Sequence, residues 1–372
     1  MNNQNLTYQI ALTLAKGVGD ITAKQLLQAV DNDIERLFKE NPRALQRVYG
    51  ISSRIATSLQ DADIRKRAEQ EISFIEKKQI KAIFIEDDDY PQRLKNCIDS
   101  PILLFYKGNA NLNATKTISI VGTRHATEMG RNIVDNIVKD LSLHYPNLLV
   151  VSGLAYGIDI IAHKAALHNG LNTVGVLAHG LDRIYPGQHR STAVEMIGQG
   201  GLLTDFISGT NPDRQNFVMR NRIVAGMADC TLVVESAAKG GALITADIAF
   251  GYSRDVLAVP GRTTDTYSQG CNKIIKENKA ALVENAEDII RAMCWSDNSI
   301  LQKKKPVQKQ LFLDLTEQEQ IVYDLLSEQA MQLNQLGMEC NMPINRLTTL
   351  LFEMEMKDIV KCLPGGVYQI RN

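Results

Sequence analysis

Several short apolar runs of this sequence end in glycine or a small polar residue immediately before a helical stretch. A turn of this kind presents unpaired backbone N–H groups and the partial positive charge of a helix N-terminus, which together suit a phosphate or carboxylate. Glycine also serves tight turns for purely structural reasons, so one such turn would indicate little. The sequence contains four: Gly122-Thr123-Arg124, Ser152-Gly153, Gly240-Gly241 and the segment before Asn272. Together they predict an anion-binding edge.

Arg124 narrows the kind of anion. The dinucleotide fingerprint G-x-G-x-x-G uses its second glycine to bring backbone against a pyrophosphate, but the sequence IVGTRHATEMG has Arg124 at that position. A guanidinium there blocks the usual cofactor pose and can instead bond two oxygens of one phosphate. We therefore expect a phosphate contact and no bound cofactor.

Further cations lie near the same turns. Arg220 and Arg222 occur in NFVMRNRI, and residues two apart do not share a helix face. We expect one of them to face the groove and the other to pair with a carboxylate. Lys164 follows the Ser152-Gly153 turn and is a further candidate, although a solvated helix face would explain it equally well.

Evidence for catalysis or a metal is weak. His163 and His168 do not form an H-E-x-x-H motif, and the chain contains neither G-x-S-x-G nor a phosphate-binding G-x-x-x-x-G-K-[ST] loop. Six cysteines without a C-x-x-C pair predict free thiols. We expect no catalytic residue and no metal site. Four carboxylates near predicted strand ends are either helix caps or general bases: Asp159, Asp182, Asp205 and Glu235.

The elements that must position these residues fall into four segments. Residues 1–78 predict a small helical module of helix-hairpin-helix or SAM-like type, and residues 79–295 alternate Val- and Ile-rich runs with helical stretches, which indicates a parallel α/β sheet. We expect residues 296–312 to be a polar linker. The pattern of residues 313–372 predicts three helices and a Gly-Gly hairpin, which together make a winged helix. The predicted strands are 81–87, 101–108, 117–122, 148–153, 172–180, 201–206, 230–236 and 255–261.

The near-zero net charge excludes a uniformly basic protein that binds nucleic acid by charge alone. The 372 residues include 41 Lys and Arg against 42 Asp and Glu. Residues 1–78 and 79–312 each carry +2, whereas residues 313–372 carry −5, so the last segment is a poor candidate for DNA binding. The G-x-G hairpin at Gly17-Val18-Gly19 fits either a phosphate contact or plain scaffold. With no signal peptide or membrane-spanning run, we expect a cytoplasmic protein without a membrane partner.

Five motifs, in this order, resemble the DNA-processing protein A (DprA/Smf) family of bacteria: IVGTRHATEMG, VVSGLAYGIDIIAHKAAL, GLDRIYPGQHR, NFVMRNRIVAGMADCTLVVESAAKGGALITADIAF and VPGRTTDTYSQGCNKII. The match covers roughly residues 80 to 290. The resemblance implies an extended Rossmann-like domain that binds single-stranded DNA and forms homodimers. It also implies a partner, the RecA recombinase, which the protein helps to load on incoming DNA in natural transformation, without enzymatic turnover.

The same resemblance assigns site residues. Arg124 matches the arginine of the family's G-S/T-R motif after Gly122 and Thr123, and Arg220 and Arg222 match its R-N-R signature. Met129 stands where many members have an aromatic residue, so base stacking is expected elsewhere. The pocket motifs contribute Ser152, Gly153, Gly240, Gly241 and Asn272, and the candidate stacking residues are Phe217, Tyr156 and Phe250.

Two other functions are alternatives to single-stranded DNA binding. A nucleotide-binding enzyme of the phosphoribohydrolase type would use a carboxylate near Gly240-Gly241, but its P-G-G-x-G-T-x-x-E pattern is missing. A transcription regulator acting through residues 313–372 would need a more basic module than this one.

Overall fold

Six helices occupy the first part of the chain. The computed structural model describes residues 3–295, 315–363 and 365–371. Side chains at the helix N-caps, such as Asn41, Ser52 and Asp61, accept backbone hydrogen bonds and so fix where α4, α5 and α6 begin. The helices are α1 Asn3–Leu14, α2 Asp20–Ala29, α3 Ile34–Lys39, α4 Pro42–Tyr49, α5 Ser53–Leu59 and α6 Ala62–Lys78.

A sheet of nine described strands follows. The order across it is β1-β2-β6-β5-β4-β3-β7-β8-β9; β3 to β9 are parallel, and β1 and β2 are antiparallel additions beside β6. Its central strands are buried on both faces, which is why they read as continuous apolar runs. The strands are β1 Lys81–Phe84, β2 Leu103–Gly108, β3 Thr117–Val121, β4 Leu149–Ser152, β5 Asn172–Val176, β6 Gly200–Thr204, β7 Cys230–Val233, β8 Asp255–Ala258 and β9 Ala281–Leu282.

Helices cover both faces of this sheet. One core lies between the sheet and α8, α9 and α14, and includes Val134 and Ile161. The other core is continuous with the N-terminal helices, since Phe38 of α3 belongs to the same buried cluster as Phe105 of β2. The helices are α7 Gln92–Lys95, α8 Glu128–His144, α9 Ile158–His168, α10 Arg190–Gly198, α11 Arg214–Gly226, α12 Gly241–Gly251, α13 Gln269–Lys276 and α14 Ala286–Ala292.

The last described segment is a winged helix. Its small sheet has the order β10-β12-β11, and it has a hydrophobic cluster of its own that includes Val322 and Leu347. Thr316 and Glu319 form a capping box at the start of α15. The elements are α15 Glu317–Glu328, β10 Met331–Gln332, α16 Leu333–Glu339, α17 Ile344–Met356, β11 Val360–Leu363 and β12 Val367–Ile370.

The α/β class, the mainly parallel sheet and the winged helix are confirmed. Each predicted strand is present, although most are a few residues shorter than the apolar run that predicted them. The strand β9 is an addition to the predicted set: it has only two residues, both exposed, in an apolar stretch too short to indicate a strand. The predicted linker, 296–312, lies outside the described residues. Among the described helices, none has the length and apolar character needed to cross a membrane.

Candidate functional site

A cleft opens where the strand order reverses. The chain runs outward from β3 through β4 and β5 to β6, then returns to place β7 on the other side of β3. In open parallel sheets the crevice at such a switch point is the usual ligand site. Here it has a volume of about 620 Å³. The turns after β3, β4 and β7, one side of α11 and the first residues of α12 line it.

The turn at Gly122-Thr123-Arg124 is held by backbone contacts. Thr123 N–H donates to the Glu235 carbonyl oxygen at 2.7 Å, and Ile158 N–H donates to the Thr123 carbonyl oxygen at 3.1 Å. Gly157 has φ +77°, and a Cβ there would lie 2.1 Å from the Thr123 carbonyl oxygen. Only glycine therefore allows the start of α9 to approach this turn so closely.

Three exposed cations line the cleft: Arg124, Arg214 and Lys239. In the part of the chain that the structure describes, none of them forms an ion pair. The guanidinium carbon of Arg124 lies 5.3 Å from the ring centroid of Phe217, which also lines the cleft. The guanidinium carbon of Arg220 lies 5.9 Å from the same centroid, and the Phe217 side chain is partly exposed. An unpaired cation beside an aromatic ring can hold a phosphate while the exposed part of the ring contacts a planar group.

The N-terminus of α12 adds a positive end to the same cleft. Gly240 is its N-cap residue and makes no side-chain cap hydrogen bond, and Gly241 begins the helix. The backbone N–H groups of the first turn thus have no side-chain acceptor from the N-cap, and the helix has 11 residues to build its dipole. With the three cations, this arrangement favours an anion.

Arg220 lies beneath the cleft and is 4% exposed. Its Nη1 donates to the carbonyl oxygens of Gly153 and Val176. A Cβ on Gly153 would lie 2.1 Å from that same nitrogen, so glycine is required for Arg220 to fit. Burial raises the pKa of the neighbouring Asp159 carboxyl, and the positive charge of Arg220 opposes this shift. Asp159 is the one carboxyl among the described lining residues.

Arg222 lies outside the cleft. Its guanidinium bonds Asp20 Oδ2 at 2.9 Å and Asp205 Oδ2 at 2.6 Å, and thereby joins α2 to the segment after β6. Of the two arginines in R-N-R, one therefore underlies the cleft and the other pairs with carboxylates, as their spacing predicts. The prediction that Arg222 is a DNA-binding residue of the cleft is therefore corrected, because its side chain forms this ion pair with Asp20 and Asp205.

Seven predicted site residues do line the cleft, whereas four others besides Arg222 do not. The Ser152 hydroxyl is buried and donates to the Ile120 carbonyl oxygen at 2.6 Å. The Asn272 amide bonds the backbone of Gly261. Lys164 is exposed in the second turn of α9, and Phe250 lies in the last turn of α12, away from its N-terminal end. The seven are Gly122, Thr123, Arg124, Gly153, Arg220, Gly240 and Gly241.

Sequence reasoning missed Arg214. It begins α11 directly after Asn211, Pro212 and Asp213, and both Pro212 and Arg214 line the cleft. The turn signal Asn-Pro-Asp ahead of a helix was a usable indication, because a residue in the first helical turn can face a sheet edge.

Glu235 and His163, two titratable residues near the cleft, form hydrogen bonds within the protein. The Glu235 carboxylate accepts hydrogen bonds from Thr127 N–H at 3.0 Å and from the Thr127 hydroxyl at 2.5 Å. Burial lowers the pKa of His163 to about 3, so its imidazole is neutral, and its Nδ1 lies 2.7 Å from the Thr173 hydroxyl. Within the described ranges, no group of three or more metal-ligating side chains is present.

Comparison with known proteins identifies the family. Residues 81–294 match the model of DNA recombination-mediator protein A, and residues 308–366 match that of the DprA winged helix domain. DNA processing protein DprA of Streptococcus pneumoniae is 39% identical over 55% of this chain and 72% of its own length. Protein Smf of Synechocystis is 32% identical over 85% of this chain and 80% of its own length.

Solved structures agree with this assignment. The structure of DprA from Streptococcus pneumoniae matches with a TM-score of 0.67 and 30% identity, and covers 77% of this chain and 97% of that one. A DprA structure from Helicobacter pylori, described for its single-stranded DNA binding mode, matches with a TM-score of 0.52 and 24% identity over 60% of this chain and 97% of that one. The chain therefore belongs to the DNA-processing protein A family, whose members carry the names DprA and Smf.

Proposed function

We propose that this chain binds single-stranded DNA in the cleft between β3 and β7 and acts as a recombination mediator without chemical turnover. One observation carries the proposal: Arg124, which forms no ion pair among the described residues, has its guanidinium carbon 5.3 Å from the centroid of the Phe217 ring. Phosphate contacts from Arg124, Arg214 and Lys239 would fix the strand without reading its sequence. The ring needs a base that is free of the duplex stack, which favours a single strand.

The carboxylates argue against a phosphoribohydrolase-type enzyme. Such an enzyme needs a carboxylate free to act near Gly240 and Gly241. Glu235, the nearest acidic residue along the chain, uses both carboxylate oxygens on Thr127. The exposed groups of the cleft are cations instead.

The binding test compares Arg124→Ala with Arg291→Ala. The Arg291 side chain is 79% exposed and lies on α14, outside the cleft, with a 4.0 Å contact to Asp288, so its loss removes one surface charge away from the cleft. Affinity for oligonucleotides is measured against salt concentration. Arg124→Ala should weaken binding similarly for all base compositions and reduce the slope of log K against log salt by about 0.7 per lost single-strand phosphate contact.

Two results would contradict the proposal. If Arg124→Ala and the wild type bind oligonucleotides with equal affinity, the cleft is not the binding site. Thermal stabilisation by a nucleoside monophosphate, with release of free base and no oligonucleotide binding, would instead support the enzyme reading.

The mediator role rests on the name of the matched family model, DNA recombination-mediator protein A. We propose that the chain protects incoming single strands during natural transformation, works as a homodimer and helps the RecA recombinase to assemble on them. The test measures RecA filament formation on a strand covered by single-strand-binding protein. The wild type should accelerate assembly and Arg124→Ala should not. Analytical ultracentrifugation tests the dimer separately.

A further inference from the structure

Two exposed tyrosines, Tyr156 and Tyr185, lie next to the cleft in the segments that follow β4 and β5. Tyr185 lies beside Phe217, with ring centroids 6.0 Å apart and an interplanar angle of 60°. Tyr156 directly follows Ala155, which itself lines the cleft. Tyr185 is 46% exposed and Tyr156 is 40% exposed. We call these two residues the tyrosine ledge. Both rings offer accessible surface next to the cleft.

The segment that carries Tyr185 is fixed against the cleft wall. Arg183 Nη1 donates to Asn211 Oδ1 at 2.7 Å, just ahead of Pro212 and Arg214 at the start of α11. His189 Nδ1 lies 2.9 Å from the Leu154 carbonyl oxygen, in the turn after β4. These contacts tie both ends of the segment to cleft elements, so Tyr185 is held in place and needs no ordering when a ligand arrives.

Tyr156 is held from the other side. Its hydroxyl donates to Gln188 Oε1 at 2.6 Å, and its ring packs edge-on against His189 with centroids 5.0 Å apart. The hydroxyl bond and the ring contact fix the orientation of the Tyr156 ring, and the residue remains 40% exposed. Arg190, in the same segment, is exposed and has no ion pair among the described residues. An unpaired cation thus accompanies these rings as well.

We propose that the tyrosine ledge stacks the bases that follow the one on Phe217, so that the bound strand leaves the cleft over β4 and β5. This inference rests on the proposed function and adds to it the path of the strand. Base stacking on aromatic rings is tolerant of sequence and adds affinity for each base engaged. The ledge should therefore contribute only to oligonucleotides long enough to reach it.

The opposite exit from the cleft is less suitable. His125 and Tyr267 stack there with centroids 6.2 Å apart and an interplanar angle of 25°. Tyr267 is half-buried, and its carbonyl oxygen accepts the Ser236 N–H at 2.6 Å. These rings do not continue from Phe217, the aromatic residue of the cleft.

The test measures affinity for oligothymidylates of about four and about fifteen nucleotides, which span the range of site sizes for unspecific single-strand binders. In the wild type the longer strand should bind more tightly. Tyr185→Ala should weaken the longer strand by about tenfold and reduce the difference between the two lengths, as expected for loss of one stacked base. Tyr185→Phe, which keeps the ring, should restore the difference. Phe352→Ala removes an exposed aromatic ring from the winged helix, where the residue is 63% exposed, and is the control.

Each outcome distinguishes the path from the site. If Tyr185→Ala and Tyr156→Ala leave the length dependence unchanged, the ledge is not a subsite, although the cleft remains one. If Tyr267→Ala removes the length dependence instead, the strand leaves by the opposite exit and the inference is wrong. If Arg124→Ala binds both lengths as the wild type does, the proposed function fails, and the inference fails with it.

Discussion

The cleft and the winged helix differ in the property that DNA binding requires. The cleft is lined by four cations and one carboxyl group. The winged helix, in a fold that often places a helix in the major groove, has net charge −5 over residues 313–372. Helix α17 contains one basic residue, Arg346, and two acidic residues, Glu353 and Glu355. The comparison teaches that the charge of a site, and not its fold, indicates whether phosphate binds there.

The largest test of this comparison removes the cleft cations together. Changing Arg124, Arg214 and Lys239 to alanine should weaken single-stranded DNA binding by at least about a hundredfold, because each bond to a charged group contributes about 1.5–3 kcal/mol. Fluorescence anisotropy with a labelled oligonucleotide measures it. The matched control changes Arg346, Lys361 and Arg371 of the winged helix and should cost less than about threefold. A larger loss in the control would reverse the comparison.

A second test separates the cations that bind from the cation that stabilises. Arg222→Ala leaves two carboxylates, Asp20 and Asp205, without their partner. The free energy of unfolding should fall by about 3–5 kcal/mol, as for other broken buried pairs. Urea unfolding measures it. Arg124→Ala should give the opposite pattern, with little change in stability and a large loss of binding. Loss of DNA affinity in fully folded Arg222→Ala would assign Arg222 to the binding site after all.

A third test concerns the acidic character of the winged helix. Burial opposes the charge of Glu319, but hydrogen bonds from Lys357 at 2.6 Å and from Thr316 outweigh it and lower the pKa of this carboxyl below its ordinary value near 4.5. A depressed pKa gives stability that is present above pH 4.5 and is lost as the pH falls through the folded-state value.

Glu319→Gln should therefore destabilise the winged helix by about 1–2 kcal/mol at neutral pH and remove that acid sensitivity. Amide hydrogen exchange within residues 317–363 measures the local stability. DNA binding by the cleft should not change, and unaltered exchange rates would show that the capping box contributes little.

The smallest expected effect is that of removing the winged helix. A chain ending at residue 295 retains every residue that lines the cleft, and the deleted segment has its own hydrophobic cluster. Affinity for a single strand should change by less than about threefold, as an electrophoretic mobility assay would show. A tenfold loss would mean that the acidic module supports binding in some way that its charge does not indicate.

Much of this could be predicted from the sequence, for physical reasons. Apolar runs that end in glycine or a small polar residue predict β3, β4 and β7, and the common edge of a parallel sheet predicts that Arg124, Gly153 and Gly240 lie close together. The strand order was not predictable, because no local pattern specifies which strands pair. The direction in which each side chain points could not be predicted from the sequence either. The Ser152 hydroxyl is buried although the residue lies at a strand end. Phe250 belongs to α12, whose N-terminus lines the cleft, but lies in the last turn of that helix.

Strand order also determines when the protein can fold as it is made. β2 pairs with β6, where Phe105 lies opposite Thr204, although 99 residues separate them along the chain. At a synthesis rate of about 5–20 residues per second, β2 waits for about 5–20 seconds before its partner exists. The N-terminal helices share a core with β2 and are joined to Arg222 through Asp20. The N-terminal helices are thus made before Arg222 and β6, and can complete their contacts with this part of the sheet only after those later residues exist.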